Sequence, residues 1–228
     1  MSTDGLAVMK TEGVEMMKVL LVNGSPHEKG CTHRALVEIA NALQTEGVDA
    51  DFFWIGNKPL SGCIDCRICG KTGNCVFDDG VNEFRRTALG VDGFVFGSPV
   101  HYAAAGGAIS SFMNRAFFSE MLGNGNQAFY LKPAAAIVSA RRAGTTAAFD
   151  QLNKYFTIQE MPVVSSRYWN MVHGMRPEDV EKDDEGLLCM RVLGRNMAYF
   201  LKCREAGIKA GVELPKREAP VFTNFIRG

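Results

Sequence analysis

Twice the chain runs through a continuous apolar segment, stops at Gly-Ser-Pro and continues into a stretch with helical periodicity. The first case is Lys18–Asn23 ahead of Gly24, Ser25 and Pro26, and the second is residues 93–96 ahead of Gly97, Ser98 and Pro99. A strand without polar alternation is covered on both faces, which is the situation of a parallel sheet between two helical layers. After the first strand, Leu36, Ile39, Ala40 and Leu43 form one apolar stripe that Gly47 ends. Further strands are expected at 51–55, 134–139 and, briefly, 162–165. Helices are expected at 79–89, 110–122, 145–156 (Phe149, Leu152 and Phe156 on one face) and 184–206 (Met190, Leu193, Met197 and Phe200). Alternating strands and helices with short connections imply right-handed crossovers. The expected fold is α/β, a three-layer doubly wound parallel sheet of five strands in the order 2-1-3-4-5.

A chain of 228 residues suits one such domain, here residues 17–228, behind a tail over 1–16 that is polar and mixed. Lys plus Arg and Asp plus Glu both number 25, so no net field favours nucleic acid or a membrane surface. No apolar run approaches the roughly 20 residues of a membrane-spanning helix. The N-terminus lacks the apolar core of a secretory signal, so a cytoplasmic location is expected. In that setting the seven cysteines do not read as a disulfide framework.

Ligands of such sheets bind beyond the carboxyl ends of the strands, which makes three loops the candidate site. The first, residues 24–33, joins a buried strand to a helix N-terminus, where backbone N–H groups, the helix dipole and the hydroxyls of Ser25 and Thr32 suit a phosphate monoester. Pro26, Gly30 and Cys31 shape the same loop; turn-making and helix-capping alone are its bland reading. Neither G-x-x-x-x-G-K-[ST] nor G-x-G-x-x-G follows the first strand, leaving a mononucleotide without those signatures. The second loop brings Ser98, Pro99, Val100, His101 and Tyr102 beside small residues that allow a flat ring close. The third carries Ser139, Ala140, Arg141, Arg142, Gly144 and Thr145, with backbone donors and positive charge for a reduced flavin's developing anion. Each loop alone is compatible with plain packing or solvation; their recurrence on one side of the sheet carries the reading.

These stretches, with the cysteine cluster and the order of elements, resemble the NADPH-dependent FMN reductase and iron–sulfur flavoprotein branch of the flavodoxin-like superfamily over about residues 18–165. The resemblance implies FMN, its phosphate held by Ser25 and Thr32, its ring along Pro99 to Tyr102, and the 141–145 loop near its pyrimidine edge. It further implies NAD(P)H as co-substrate, a homodimer or homotetramer, and a segment over 168–174 that shapes the site across a subunit interface or packs as an aromatic loop. Cys63, Cys66, Cys69 and Cys75, within residues 57–76, form C-x2-C-x2-C-x5-C. That spacing resembles the compact motif of iron–sulfur flavoproteins; a [4Fe–4S] cluster, a zinc ion and free thiols remain open. The expected activity is an FMN-dependent NAD(P)H oxidoreductase acting on a quinone, nitro or azo compound, flavin or other small acceptor, with no catalytic side chain because the flavin carries the chemistry. The alternatives are an iron–sulfur flavoprotein relaying electrons between protein partners, which the balanced charge separates from acidic flavodoxin carriers, and a flavin-containing sensor.

Overall fold

A computed structural model describes residues 16–219, 221 and 223. Apart from Met16, the expected tail over 1–16 lies outside the described residues. In chain order the elements are β1 (Lys18–Asn23), α1 (Cys31–Thr45), β2 (Asp49–Trp54), α2 (Cys69–Thr72), α3 (Gly80–Leu89), β3 (Gly93–His101), β4 (Ala104–Ala105), α4 (Gly107–Asn124), β5 (Ala134–Ala140), α5 (Thr145–Ile158), β6 (Met171–His173), α6 (Pro177–Val180) and α7 (Asp184–Lys209). The sheet runs β2-β1-β3-β5-β6 and every neighbour along it is parallel. The two-residue β4 folds back antiparallel on β3 through Val100↔Ala105 and His101↔Ala104. Without that appendage the order is the expected 2-1-3-4-5.

Alternation along each strand divides the interior into two cores. Val19 and Leu21 of β1 face α1 and α7 with Leu36, Ile39, Leu43, Leu193 and Met197. Leu20 and Val22 face α3, α4 and α5, where Phe84, Phe94, Phe96, Phe112, Phe117, Phe129 and Phe156 form one aromatic cluster. The Phe84 and Phe112 rings meet edge to face at 5.0 Å, a favoured geometry.

Two expectations change. The last sheet strand is β6 rather than 162–165. That segment pairs only with the start of β5, through an isolated bridge at Ala134↔Val163 and the bonds Ala134 N to Pro162 O and Val164 N to Ala134 O, both 2.9 Å. The chain then detours, and Asn170 closes the gap: its side chain donates to Ala136 O at 3.0 Å and its carbonyl accepts from Val138 N. In α7 the apolar stripe continues from Met197 to buried Leu201, leaving Phe200 exposed, as a 3.6-residue period dictates.

Candidate functional site

The ends of β1, β3 and β5 open into one cavity of about 690 Å³, inside the roughly 300–1,000 Å³ of small-molecule and cofactor sites. Ser25, Pro26, Gly30, Cys31 and Thr32 line it from the first loop, Pro99 and Val100 from the second, Ser139 and Arg141 from the third. The first loop is folded by its own polar groups. Buried Asn23 accepts from Ser25 N at 3.1 Å and donates to Glu28 O at 2.8 Å, while Ser25 Oγ accepts from His27 N at 3.1 Å. These bonds turn the chain so that α1 begins at the cavity. Gly30 stands at its N-cap, no side chain caps the helix, and its first turn holds no acidic residue. The positive end of the helix dipole therefore meets the cavity without a carboxylate in that turn.

Thr32 is buried, and its hydroxyl shares a 2.8 Å hydrogen bond with that of Ser139, joining the first loop to the third. Gly144, at φ +93°, joins the third to the second: a Cβ there would lie 2.6 Å from Ala103 Cα. Ser98, His101, Tyr102, Ala140, Arg142, Gly144 and Thr145 are not part of the cavity lining. Ser98 supports the second loop from within, donating to Pro99 O at 2.8 Å and accepting from Gly106 N at 3.0 Å. His101 and Tyr102 are exposed where β3 turns into β4, and Tyr102 and Ala103 hold left-handed backbone at φ 50° and 59°, an uncommon conformation for residues with a side chain. Ala140 and Thr145 are buried, and Arg142 is exposed.

The lining also includes Trp54, Asn57 and the run from Gly174 to Pro177, which lie outside the three loops; of these, Gly174 belongs to the 168–174 segment that the resemblance singles out. Trp54 donates from its indole nitrogen to Ser25 O at 2.8 Å. Its signal was available, since β2 ends on the ligand side beside β1. Cys31 donates to Gly174 O at 3.6 Å, and burial pushes its thiol pKa up, so it stays protonated at neutral pH.

A helix N-terminus without a side-chain cap, the Ser25 hydroxyl and the Arg141 guanidinium on one cavity wall form a donor set for a phosphorylated anion, and the cavity has room for a flat ring beside it. FMN fits these residues.

The cysteine loop runs from β2 along α4 to α3 and forms a separate region. Cys63 and Cys66 are exposed, Cys75 half-buried and Cys69 buried; burial pushes the Cys69 thiol up. All four line one small cavity of about 20 Å³, with Arg115 and Ser119 of α4. Among the described residues no three His, Cys, Asp or Glu side chains stand in a metal-holding arrangement. The donor chemistry thus suits iron–sulfur or zinc ligation while the sulfurs surround a cavity smaller than either ligand set needs. Ties from the helices hold the loop: Asn114 Oδ1 accepts from Cys63 N at 3.1 Å, and Asn82 Oδ1 accepts from Cys75 N at 2.9 Å. Gly123 lets α2 approach, since a Cβ there would lie 2.6 Å from Cys69 O. Asn124 donates to Gly73 O at 3.4 Å and to Glu120 Oε2 at 3.0 Å.

A family model described as NADPH-dependent FMN reductase matches residues 17–176. An iron–sulfur flavoprotein of Methanocaldococcus jannaschii is 31% identical over 195 residues, covering 82% of this chain and 98% of the relative. The solved structure of RosB with bound 8-demethyl-8-formylriboflavin-5'-phosphate matches with a TM-score of 0.65 at 13% identity, over 92% of this chain and 94% of RosB. A flavodoxin from the domain Archaea matches with a TM-score of 0.54 at 17% identity, over 82% of this chain and 99% of its own. At such identities the likeness is one of fold, and that fold is flavodoxin-like.

Proposed function

We propose that this chain, which belongs to the NADPH-dependent FMN reductase family, is an FMN-dependent oxidoreductase that moves electrons from a reduced nicotinamide to a small acceptor such as a quinone, a nitro or azo compound, or free flavin. Flavin redox chemistry is what the family and its iron–sulfur flavoprotein relative support. The acceptor class is our reading. The observation that carries it is the single cavity at the ends of β1, β3 and β5, where an uncapped helix N-terminus and Arg141 meet.

When bound, FMN supplies hydride acceptance from the nicotinamide and electron delivery to the acceptor. The chain's residues bind and orient. Ser25, Thr32 and the first N–H groups of α1 hold the phosphate, with Pro26, Gly30 and Cys31 shaping that cradle. Pro99 and Val100 flank the ring, and Arg141 places positive charge at its polar edge, where negative charge grows on reduction. Ser139 fixes Thr32, while Ser98, Ala140, Gly144 and Thr145 support these loops. His101, Tyr102 and Arg142, exposed at the loop tips, are assigned to substrate contact or to a neighbouring subunit in a homodimer or homotetramer. Exposed Tyr168 and Trp169 are assigned to the same interface. No helix among the described residues is long and apolar enough to cross a membrane; a cytoplasmic location is part of the proposal.

Purified protein is expected to oxidise NADH or NADPH steadily with a small quinone as acceptor, and Arg141→Ala is expected to lower turnover and make FMN harder to reduce. A protein that holds FMN but oxidises neither nicotinamide with any such acceptor, and is reduced only by a ferredoxin-like donor, favours the second reading. That reading, an electron relay between protein partners, is supported by the four cysteines around one cavity.

A further inference from the structure

We propose that Trp54 is a positioning residue for the phosphate cradle: together with Asn23 it holds Ser25 from both sides, leaves the Ser25 hydroxyl proton to the ligand, and so makes the pocket select flavin mononucleotide over the same flavin without its phosphate. The inference rests on the FMN reading of the pocket and deepens it.

The sheet brings the two side chains together. β1 and β2 run parallel in a register that places Trp54, the last residue of β2, opposite Asn23, the last of β1. Both side chains reach Ser25, two residues past the end of β1. Asn23 Oδ1 accepts from Ser25 N at 3.1 Å, and the Trp54 indole nitrogen donates to Ser25 O at 2.8 Å. Pro26 follows, and proline carries no N–H, so the carbonyl is the one polar group of the peptide unit between Ser25 and Pro26. Trp54 holds it, and thereby fixes the rotation of that unit at the start of the loop. Trp54 is half-buried and lines the cavity beside Ser25.

Donors and acceptors at Ser25 leave one group over. Ser25 is 4% exposed, and its Oγ accepts from His27 N at 3.1 Å. A serine hydroxyl has one proton to give and two lone pairs to receive with, so the proton remains. Among the described residues no acceptor takes it, and Ser25 lines the cavity. A proton so placed suits a ligand group that only accepts, as an ionised phosphate does, better than the terminal hydroxyl of a flavin without phosphate, which is also a donor. The first N–H groups of α1, which no side chain caps, stand ready for the same anion. All these bonds run between the chain's own atoms, so the cradle holds its shape before a ligand arrives, which lowers the cost of binding. A Trp54 that merely walled the pocket would support any flavin alike; a Trp54 that acts through Ser25 supports only the phosphorylated one.

The test titrates full-length protein, freed of flavin, with FMN and with riboflavin, read by flavin fluorescence, as wild type, Trp54→Phe, Ser25→Ala and the double variant Ser25→Ala/Trp54→Phe. Phenylalanine keeps an aromatic ring and removes the N–H donor. Wild type is expected to bind FMN more tightly than riboflavin. Trp54→Phe is expected to weaken FMN by up to about tenfold, the scale of one net hydrogen bond, while riboflavin affinity stays as in wild type. Because Trp54 acts through Ser25, the double variant is expected to bind FMN as weakly as Ser25→Ala alone, the non-additivity of residues in one network. Should Trp54→Phe not fold, hydrogen exchange of the Trp54 indole N–H in flavin-free wild type carries the test. It is expected to be slower than at Trp169, the chain's other tryptophan and 51% exposed, with Trp169→Phe assigning the signal. Equal loss of FMN and riboflavin affinity, additive losses in the double variant, equal wild-type affinities for the two flavins, or equally fast exchange of the two indoles each overturn the inference and leave the FMN reading standing. Wild type that binds neither flavin overturns both.

Discussion

The cavity at the strand ends and the cavity of the cysteine loop are built by different means. The pocket at the ends of β1, β3 and β5 is set by backbone: parallel strands fix the loop origins, and Gly24 N donates to Gly97 O at 2.8 Å to continue the ladder past β1. The cysteine loop has almost no regular structure beyond the single turn of α2 and is held by Asn82, Asn114, Arg115 and Asn124. Arg115 stands about 12 Å along α4 from the helix end near Pro99, by the 1.5 Å rise per residue, so the two regions share one helix. A site made by strand ends tolerates the loss of a single side chain; a site made by side-chain ties is only as firm as each tie.

The largest effect that difference predicts is at Asp79. Asp79→Ala leaves Arg115 buried without its carboxylate and removes the cap that accepts from Val81 N at 3.2 Å. Breaking a buried pair from one side costs about 3–5 kcal/mol. Urea unfolding is expected to show that loss, together with faster alkylation of Cys69; a loss under about 1 kcal/mol with unchanged alkylation breaks the comparison. Next comes Gly24→Ala, whose Cβ would stand 2.6 Å from Ile109 Cβ and 2.7 Å from Gly97 O. Overpacking of this kind costs about 1–3 kcal/mol, and here FMN affinity is expected to fall while Cys69 alkylation stays as in wild type. Thr32→Val, which removes the bond to Ser139, is expected to weaken FMN by up to about tenfold, the scale of one net hydrogen bond, with fluorescence titration as the readout.

The smallest effect is one of pH. Burial alone would raise the Glu120 carboxyl, but hydrogen bonds from Asn124, Arg85 and Ala128 N bring it below the ordinary glutamate value of 4.5. A carboxyl lowered in the folded state stabilises above its unfolded pKa, and that contribution is lost as pH falls through the folded one. Acid below about pH 4.5 is therefore expected to release the Glu120 to Asn124 to Gly73 tie and expose Cys69 before FMN leaves the pocket. Glu120→Gln should remove the pH dependence; hydrogen exchange in α2 against FMN absorbance separates the two events.

The same division explains what the sequence made legible. Residues 19–23 of β1, 93–98 of β3 and the stripe Leu36, Ile39, Ala40 and Leu43 stand out because continuous burial and a 3.6-residue period are local patterns, and these residues are buried. Ser25, Thr32, Pro99, Ser139 and Arg141 meet at the cavity because topology brings the ends of alternate strands together. Less was visible where a residue's role depends on distant partners. β6 is three residues long and joins the sheet only after Asn170 bridges a detour, which no periodicity announces. Trp54 and Arg176 reach the cavity from elements outside the three loops. Arg115 left a faint mark, one cation between apolar residues of α4, but its partners Ser61 and Asp79 lie across the cysteine loop from each other and only the fold unites them.

The central claim is that the pocket above β1, β3 and β5 holds FMN for redox work. Its most direct test is the visible absorption spectrum of protein purified without oxygen, recorded before and after dithionite, for wild type and for Gly24→Ala. The account predicts resolved flavin bands in wild type that bleach on reduction, with a broad bleachable shoulder beneath them if the cysteines hold iron, and loss of the flavin bands in the variant. A colourless wild-type protein that FMN cannot reconstitute would contradict it.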